Sequence, residues 1–192
     1  PITDQHRLLC AGLNYHKKYP LGGEVKTPNQ PVYFNKPPGS LVPHNGELLR
    51  PIASVQLDYE VELAVVIGRS GRHISESQAL EHVAGYTILN DGSVRDWQRH
   101  AVAAGKNFYR SGSCGPWIVT DDVIPDPSKL SVMTRVNGEE RQNASVKDMI
   151  YRVSIKNNAV RTGRHNRYWL TRRHRWIYGT SGVVSPRRHS RI

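Results

Sequence analysis

The sequence predicts an α+β chain that is mostly β, and three observations support this class. Short runs rich in apolar and β-branched residues recur along the chain, Gly, Pro and Asn separate them, and only a few stretches carry helix-start signals. The longest run spans residues 58–68, where Val61, Leu63, Val65 and Ile67 alternate with other residues. With 192 residues, one domain with a buried core is the default expectation.

The other elements follow from the same signals. Further strands are predicted at 7–12, 31–35, 85–91, 116–120, 131–136 and 139–143. Helices are predicted over 75–83, where Ser75 and Gln78 form a capping box, and over 93–100 and 145–150. The Gly/Pro-rich stretch 16–30 has the length of a functional lid, and residues 105–115 read as a Gly-rich loop.

Glu60 and Glu62 are placed by alternation on one face of the strand at 58–68. Their backbones are about 7 Å apart, so the two carboxylates repel each other unless a cation lies between them. Such a pair also occurs on the solvated face of an edge strand, but the run becomes wholly apolar after Glu62, which indicates burial. A divalent cation would offset this burial, and carboxylate oxygens suit Mg²⁺, Mn²⁺ or Ca²⁺ rather than Zn²⁺.

The charge of the chain changes near Arg152. The net charge is +11, from 27 basic and 16 acidic residues, and eleven of the basic residues follow Tyr151, where no Asp or Glu occurs. The preceding part is therefore neutral. The basic part shows neither helical nor strand periodicity, so residues 153–192 are predicted to form a disordered tail. A shifted reading frame or a retained intron would explain its composition.

Composition also restricts the class of protein. No stretch approaches the roughly 20 apolar residues of a membrane-spanning helix, and we expect no secretory signal. The chain starts at Pro1, so we expect the natural N-terminus to lie upstream. Cys10 and Cys114 form no metal-binding motif, which favours two reduced thiols in an intracellular protein. We expect it to be cytoplasmic, with a mitochondrial location as the alternative.

Nine strings together resemble the fumarylacetoacetate hydrolase family, in the branch of acylpyruvate hydrolases and 2-hydroxyhepta-2,4-diene-1,7-dioate isomerases. They are Gly12-Leu-Asn-Tyr15, Lys36-Pro-Pro38, the strand at 58–68, Ala84-Gly-Tyr-Thr87, Asn90-Asp91, Arg95-Asp-Trp-Gln98, Gly105-Lys-Asn-Phe108, Gly115-Pro-Trp117 and Arg135-Val-Asn-Gly138. The resemblance covers roughly residues 8–152. It implies a mixed β-sandwich roll and a homodimer, with a truncated catalytic domain at 1–152 followed by the tail.

The resemblance also implies site residues. Glu60, Glu62 and Asp91 match the family's ligands for Mg²⁺, or for Mn²⁺ or Ca²⁺, in agreement with the chemistry of paired carboxylates. Substrate contacts are implied for Tyr15, Lys36, Gln98 and Lys106. Lys106 would also be catalytic, because its charge would stabilise a substrate oxyanion. Without the resemblance, Gln98 would be an exposed helix residue, Lys106 a solvated loop charge, and Arg95 and Asp96 a structural ion pair.

The implied activity is that of a metal-dependent hydrolase or lyase of small 2-oxo or β-diketo carboxylates, of the acylpyruvate or fumarylacetoacetate type. Relatives commonly carry a lid His and Glu where this chain has Lys18 and Leu21. His16 is the candidate replacement base, and Lys18 would contact a substrate carboxylate rather than activate water. Isomerisation or decarboxylation of 2-oxo acids at the same metal site would suffer less from this change.

Two other classes of function remain open. A catalytically inactive family member that acts as a binding subunit would fit the changed lid and the changed end of the chain. Nucleic-acid binding by the tail would use Tyr168, Trp169 and Trp176 as stacking groups among arginines. The neutral charge of the preceding residues makes nucleic acid the less favoured partner, and a small oxo-carboxylate the favoured one.

Overall fold

A computed structural model describes residues 7–15, 29–153 and 168–173. In that part of the chain the strands are β1 (Arg7–Gly12), β2 (Val32–Lys36), β3 (Leu41–Val42), β4 (Leu57–Asp58), β5 (Val61–Ile67), β6 (Val83–Asn90), β7 (Ser93–Val94), β8 (Gly112–Cys114), β9 (Val119–Thr120), β10 (Ser131–Val136), β11 (Glu139–Ser145) and β12 (Tyr168–Arg173). The α-helices are α1 (Arg95–Gln98) and α2 (Val102–Lys106). The predicted α+β, mostly β class is confirmed.

Most strands form one mixed sheet in the order β2-β1-β12-β5-β6-β8-β3, with β9 also pairing with β6. The pairs β1–β12 and β3–β8 are parallel, and the other pairs along this order are antiparallel. Two small antiparallel sheets, β10–β11 and β4–β7, complete the described strands. The β10–β11 hairpin turns at Asn137 and Gly138, whose φ angles of 52° and 83° match the predicted Asn-Gly turn.

Strand β5 is buried on both faces, and its alternation assigns each face to a different core cluster. Val61, Leu63, Val65 and Ile67 pack in one cluster with residues of β6 and the β10–β11 region. Ala64 and Val66 pack on the other face with residues of β1, β2, β6 and β8. The predicted alternation is therefore confirmed, and the sheet has apolar contacts on both sides.

The predicted strand at 58–68 is divided in the structure. Tyr59 and Glu60 lie between β4 and β5. Side chains replace the usual ladder there: the Glu60 N–H donates to Asn90 Oδ1 at 3.1 Å, and the Val61 N–H donates to Gln142 Oε1 at 2.8 Å. Glu60 is therefore not held by strand alternation, and its orientation depends on its contacts.

Three predicted helices are shorter than expected. The segment at 75–83 contains a 3₁₀ helix at Glu76–His82, and Ser75 Oγ donates to Gln78 Oε1 at 2.8 Å instead of capping a backbone N–H. The segment at 93–100 contains β7 and α1, and the one at 145–150 contains a 3₁₀ turn at Val146–Asp148. Further 3₁₀ turns lie at Pro38–Ser40 and Pro127–Lys129. Of the predicted strand at 116–120, only β9 is observed.

The segment just after β1 is hydrogen-bonded to residues 150 and 151, at the end of the region that carries the family resemblance. Asn14 donates from Nδ2 to the Tyr151 carbonyl oxygen at 3.0 Å and accepts from the Tyr151 N–H at 2.8 Å. The Ile150 N–H also donates to the Asn14 carbonyl oxygen at 2.8 Å. These contacts fix the backbone that leads into the predicted lid, of which residues 16–28 lie outside the described part of the chain.

The prediction that the chain after Arg152 forms no strand is wrong for residues 168–173. Strand β12 lies between β1 and β5, parallel to the first and antiparallel to the second. Backbone pairing on both sides can stabilise a strand that lacks apolar alternation, so tertiary context outweighs sequence pattern here. The boundary near residue 152 stays a prediction, and the other predictions for the tail fall on residues outside the described part of the chain.

Among the described residues, no helix has the length and apolar character needed to cross a membrane.

Candidate metal and substrate site

The start of β5 and the end of β6 bring three carboxylates together. These strands are antiparallel, with Val61 opposite Asn90, and the Asp91 N–H donates to the Glu60 carbonyl oxygen at 2.8 Å. Glu60, Glu62 and Asp91 are at most 1% exposed. Gly92, directly after Asp91, permits the close approach of the Ser111 backbone, because a Cβ at this position would lie 1.7 Å from the Ser111 carbonyl oxygen.

Two buried lysines bind Asp91 from separate elements. Lys36, at the end of β2, places Nζ 2.9 Å from Asp91 Oδ1 and also donates to the Lys106 carbonyl oxygen. Lys106, at the end of α2, places Nζ 2.6 Å from Asp91 Oδ2 and 3.0 Å from Glu60 Oε2. Both lysine side chains are fully buried, so carboxylate contacts must offset the loss of hydration.

The interpretation of Lys106 as a solvated loop charge is therefore excluded. The stretch at 105–115 was predicted as a loop, but its first two residues, Gly105 and Lys106, form the end of helix α2. Gly105 lowers helix propensity, but a Cβ there would lie 2.5 Å from the Val94 carbonyl oxygen and 2.6 Å from Gln98 Cβ. The glycine thus lets α2 approach β7 and α1 closely enough to direct Lys106 into the carboxylate cluster.

Arg95 organises the other side of Glu60. Its Nε and Nη2 donate to Asp58 Oδ2 at 2.9 and 2.6 Å, and its Nη1 donates to Glu60 Oε1 and, at 2.7 Å, to Gln98 Oε1. Ser93 Oγ adds a hydrogen bond of 3.0 Å to Glu60 Oε1. Burial raises the pKa of Asp58, and the Arg95 guanidinium opposes this effect.

The predicted ion pair between Arg95 and Asp96 is not the one observed. Asp96 Oδ1 instead accepts a hydrogen bond from Ser54 Oγ at 2.7 Å. Consecutive residues on a helix do not face each other, so Arg95 reaches back across β7 to Asp58 and Glu60. Neither Ser93 nor the Arg95–Glu60 contact was predicted, because both depend on how α1 packs against the start of β5.

The three predicted metal ligands lie in one cluster, but only two of them are placed to share a cation. Ligand atoms of Glu62, Asp91 and Cys10 all lie within 4.8 Å of one another. Glu60 is instead held by Ser93, Arg95 and Lys106, and the Lys106 ammonium lies between Glu60 and Asp91. Glu62 and Asp91 thus fit a shared cation, whereas Glu60 can join them only if Lys106 moves.

The remaining predicted site residues do not all lie at the carboxylate cluster. Gln98 is half-buried and contacts Arg95. Tyr15 is buried in the apolar cluster of Val61 and Leu63, on the face of β5 opposite Glu62, so the structure does not bring it to the carboxylates. The lid residues His16, Lys18 and Leu21 lie outside the described residues. The roles of all these residues stay predictions.

Cys10 lies in the cluster although its sequence neighbourhood contains no metal-binding motif. It belongs to β1, which lies between β2 and β12 in the sheet, and it is fully buried. Its partners Glu62 and Asp91 come from β5 and the end of β6. No spacing rule in the sequence links these three residues, since only the order of strands in the sheet brings them together.

The structure is that of a mostly β protein in which buried carboxylates lie at the ends of two adjacent strands, β5 and β6. The family model for the fumarylacetoacetate (FAA) hydrolase C-terminal region matches residues 7–155. The chain belongs to the fumarylacetoacetate hydrolase family, and the resemblance drawn from its motifs is confirmed.

The curated relatives are longer than this chain. Mitochondrial oxaloacetate tautomerases of Xenopus laevis and Homo sapiens are each 39% identical to it, over 156 and 158 residues. The match covers 79% of this chain and 49% of each relative. The chain therefore spans about half the length of these relatives.

Solved structures give the same fold. The 5-carboxymethyl-2-hydroxymuconate delta-isomerase of Mycobacterium smegmatis is 30% identical, with a TM-score of 0.73 over 88% of this chain and 67% of its own. A fumarylpyruvate hydrolase of Pseudomonas aeruginosa, in complex with Mn²⁺ and pyruvate, is 28% identical. Its TM-score is 0.74 over 87% of this chain and 78% of its own. The family thus includes isomerases and hydrolases.

Proposed function

We propose that this protein is a metal-dependent enzyme acting on small 2-oxo carboxylates, with keto–enol tautomerisation of an oxaloacetate-like substrate favoured over C–C bond hydrolysis. The observation that carries the proposal is the buried group of Glu62 and Asp91 with Lys36 and Lys106 directed at Asp91. Mitochondrial relatives that are named oxaloacetate tautomerases support the substrate and a mitochondrial location.

Glu62 and Asp91 are the residues that would hold the cation. Their oxygens are donors that Mg²⁺ and Mn²⁺ prefer, and a relative of similar fold was solved with Mn²⁺. A bound divalent cation would supply a Lewis acid for negative charge on a substrate oxygen. Glu60 would become a third ligand once Lys106 turns from it toward substrate.

The two buried lysines suit an anionic substrate. Each Nζ lies within 3.0 Å of Asp91, and each can donate hydrogen bonds in three directions. We propose that Lys106 leaves Glu60 when substrate enters and donates to the oxygen that becomes negative on enolisation. Lys36 keeps Asp91 and the backbone of Lys106 in place, because it contacts both.

Tautomerisation suits the changed lid. It moves a proton between carbon and oxygen of the substrate, and no water molecule has to be activated. The chain carries Lys18 and Leu21 at the positions where relatives commonly have the lid His and Glu. A lysine side chain, with an ordinary pKa near 10.4, is a poor base at neutral pH. Loss of a water-activating base therefore impairs hydrolysis more than tautomerisation.

The proposal is tested by measuring the rate at which the ultraviolet absorbance of enol oxaloacetate disappears, in the presence of Mg²⁺, Mn²⁺ or EDTA. The uncatalysed rate under each condition is subtracted. We expect a metal-dependent rate that is lost in Asp91→Asn and kept in the exposed control Asp122→Asn. No effect of EDTA, or equal rates for Asp91→Asn and the parent chain, would reject it. Oxaloacetate binding without turnover would instead support a catalytically inactive binding subunit.

Hydrolysis of acylpyruvates is the second candidate, because a fumarylpyruvate hydrolase is among the similar structures. The variant Lys18→His tests it by restoring the lid base. We expect acylpyruvate hydrolysis to rise by up to about 10²–10⁴-fold, as is typical of a positioned base, with a much smaller change in tautomerisation. Fast hydrolysis by the parent chain that Lys18→His does not improve would show that another base, such as His16, already acts.

A further inference from the structure

Cys10 adds a sulfur donor to the carboxylate cluster. The thiol is fully buried in β1, and its Sγ lies within 4.8 Å of a ligand oxygen on Glu62 and on Asp91. These three donors come from β1, β5 and the turn after β6. They therefore form a ligand group with one sulfur and two carboxylate donors. Binding of Mg²⁺ or Mn²⁺, as proposed above, does not need the sulfur.

We propose that Cys10, Glu62 and Asp91 together bind a thiophilic divalent cation, Zn²⁺ or Cd²⁺, which competes with Mg²⁺ or Mn²⁺ for Glu62 and Asp91. This inference rests on the proposed function only in placing a cation beside the two carboxylates. The thiol loses its proton to solvent when sulfur coordinates the metal. Cys10 would thus determine which metal the site retains.

The geometry allows one ion to contact all three side chains. A tetrahedral Zn²⁺ places sulfur and oxygen ligands about 3.5 Å from each other, given bond lengths near 2.3 and 2.0 Å. The observed atoms lie within 4.8 Å, so small side-chain rotations bring them to this separation. Asp91 can keep its lysine contacts, because each carboxylate oxygen has two lone pairs.

Ligand chemistry sets the direction of the preference. Zn²⁺ binds cysteine sulfur together with carboxylate oxygen, whereas Mg²⁺ and Ca²⁺ take oxygen ligands. At equal concentration, a divalent site generally binds Zn²⁺ more tightly than Mn²⁺. A thiolate beside Glu62 and Asp91 increases that difference, so trace Zn²⁺ would occupy the site and block the hard cation.

The sequence provides a matched control. Cys114 is the other of the two cysteines, and it is also buried, in the same apolar cluster as Cys10. Burial raises the pKa of the Cys114 thiol to about 12, and Cys114 is not part of the candidate ligand group. The variant Cys114→Ser also leaves Cys10 as the sole cysteine of the chain.

The test uses metal-free, reduced protein as the full chain, its Cys10→Ser variant and its Cys114→Ser variant. Cd²⁺ titration is followed by the cadmium–thiolate charge-transfer band, and Zn²⁺ affinity by competition with a chromogenic chelator. We expect the band in the parent chain and in Cys114→Ser, and its loss in Cys10→Ser. Removing a ligand should weaken Zn²⁺ binding by at least the roughly 10–100-fold seen for outer-shell partners, with Mn²⁺ affinity little changed.

Cadmium NMR of Cys114→Ser provides a second measurement that does not need the Cys10→Ser variant to fold. A resonance shifted as for sulfur coordination supports the inference, because Cys10 is then the only possible thiolate. Oxygen-type coordination, or a band that persists in Cys10→Ser, overturns it. If Mn²⁺ binds while no Cd–S signal appears, only this inference fails; if the Cd–S signal appears while Mn²⁺ does not bind, only the proposed function fails.

Discussion

The two faces of β5 are both buried, but near the start of the strand one face makes apolar contacts and the other makes ion pairs. On one face, Val61 and Leu63 pack against apolar side chains such as Tyr86. On the other, Glu62 enters a cluster in which Asp91 and Glu60 are joined by Lys106. Apolar packing needs shape and volume, whereas the charged cluster needs each partner at hydrogen-bond distance.

This difference has an energetic consequence. Removing a buried apolar group leaves a cavity around which the structure relaxes in part. Removing one partner of a buried ion pair leaves an uncompensated charge, which is more costly than the pair is favourable. Substitutions on the charged face should therefore reduce the free energy of unfolding more than substitutions on the apolar face. A bound cation should restore part of the stability lost on the charged face, but none of the stability lost on the apolar face.

The largest effect is expected for Lys106→Met, which removes the ammonium between Glu60 and Asp91 and keeps most of the side-chain volume. We expect a loss of about 3–5 kcal/mol in the free energy of unfolding, measured by urea denaturation. Added Mn²⁺ should restore part of it, because the cation replaces the lost charge. The exposed control Lys129→Met should be neutral, and equal losses with and without Mn²⁺ would contradict this account.

Leu63→Ala tests the apolar face. Leu63 is 5% exposed, so the truncation should cost about 2–5 kcal/mol of unfolding free energy. Mn²⁺ should stabilise this variant no more than it stabilises the parent chain, since no charge has been removed. Leu49→Ala, at a side chain that is 41% exposed, is the matched control. A Leu63→Ala variant rescued by Mn²⁺ would show that the two faces are not independent.

The same contrast explains what the sequence could predict. Alternation in β5 and the turn at Asn137 and Gly138 are local patterns, and both were predicted correctly. Motif order also predicted that Asp91 and Lys106 belong to one site, and the structure places both in the buried charged cluster. The partners of Arg95, the position of Lys106 between two carboxylates and the approach of Cys10 depend on contacts between distant elements. Strand β12 was missed for the same reason, because its neighbours and not its own residues define it.

Glu62→Gln separates charge from shape on the charged face. The amide keeps the side-chain volume and loses the negative charge that attracts a cation. We expect Mn²⁺ affinity, measured by calorimetry, to fall at least about 10–100-fold, the range known for loss of weaker, outer-shell contacts. Glu139→Gln, at an exposed position, should leave affinity unchanged. Unaltered Mn²⁺ binding in Glu62→Gln would remove Glu62 from the metal site.

The smallest effect is expected at Gln98, on the edge of the charged face. Gln98 Oε1 accepts from Arg95 Nη1 at 2.7 Å, so Gln98→Ala should cost about 1.5–3 kcal/mol of unfolding free energy, in the range for hydrogen bonds to charged groups. Gln78→Ala, which removes a hydrogen bond between exposed side chains, is the control. Gln98→Glu distinguishes a structural role from a substrate contact, because a carboxylate keeps the bond to Arg95 and repels an anionic substrate. We expect Gln98→Glu to retain the stability of the parent chain while KM for oxaloacetate rises. A Gln98→Ala variant as stable as the parent chain would show that Arg95 does not depend on this contact.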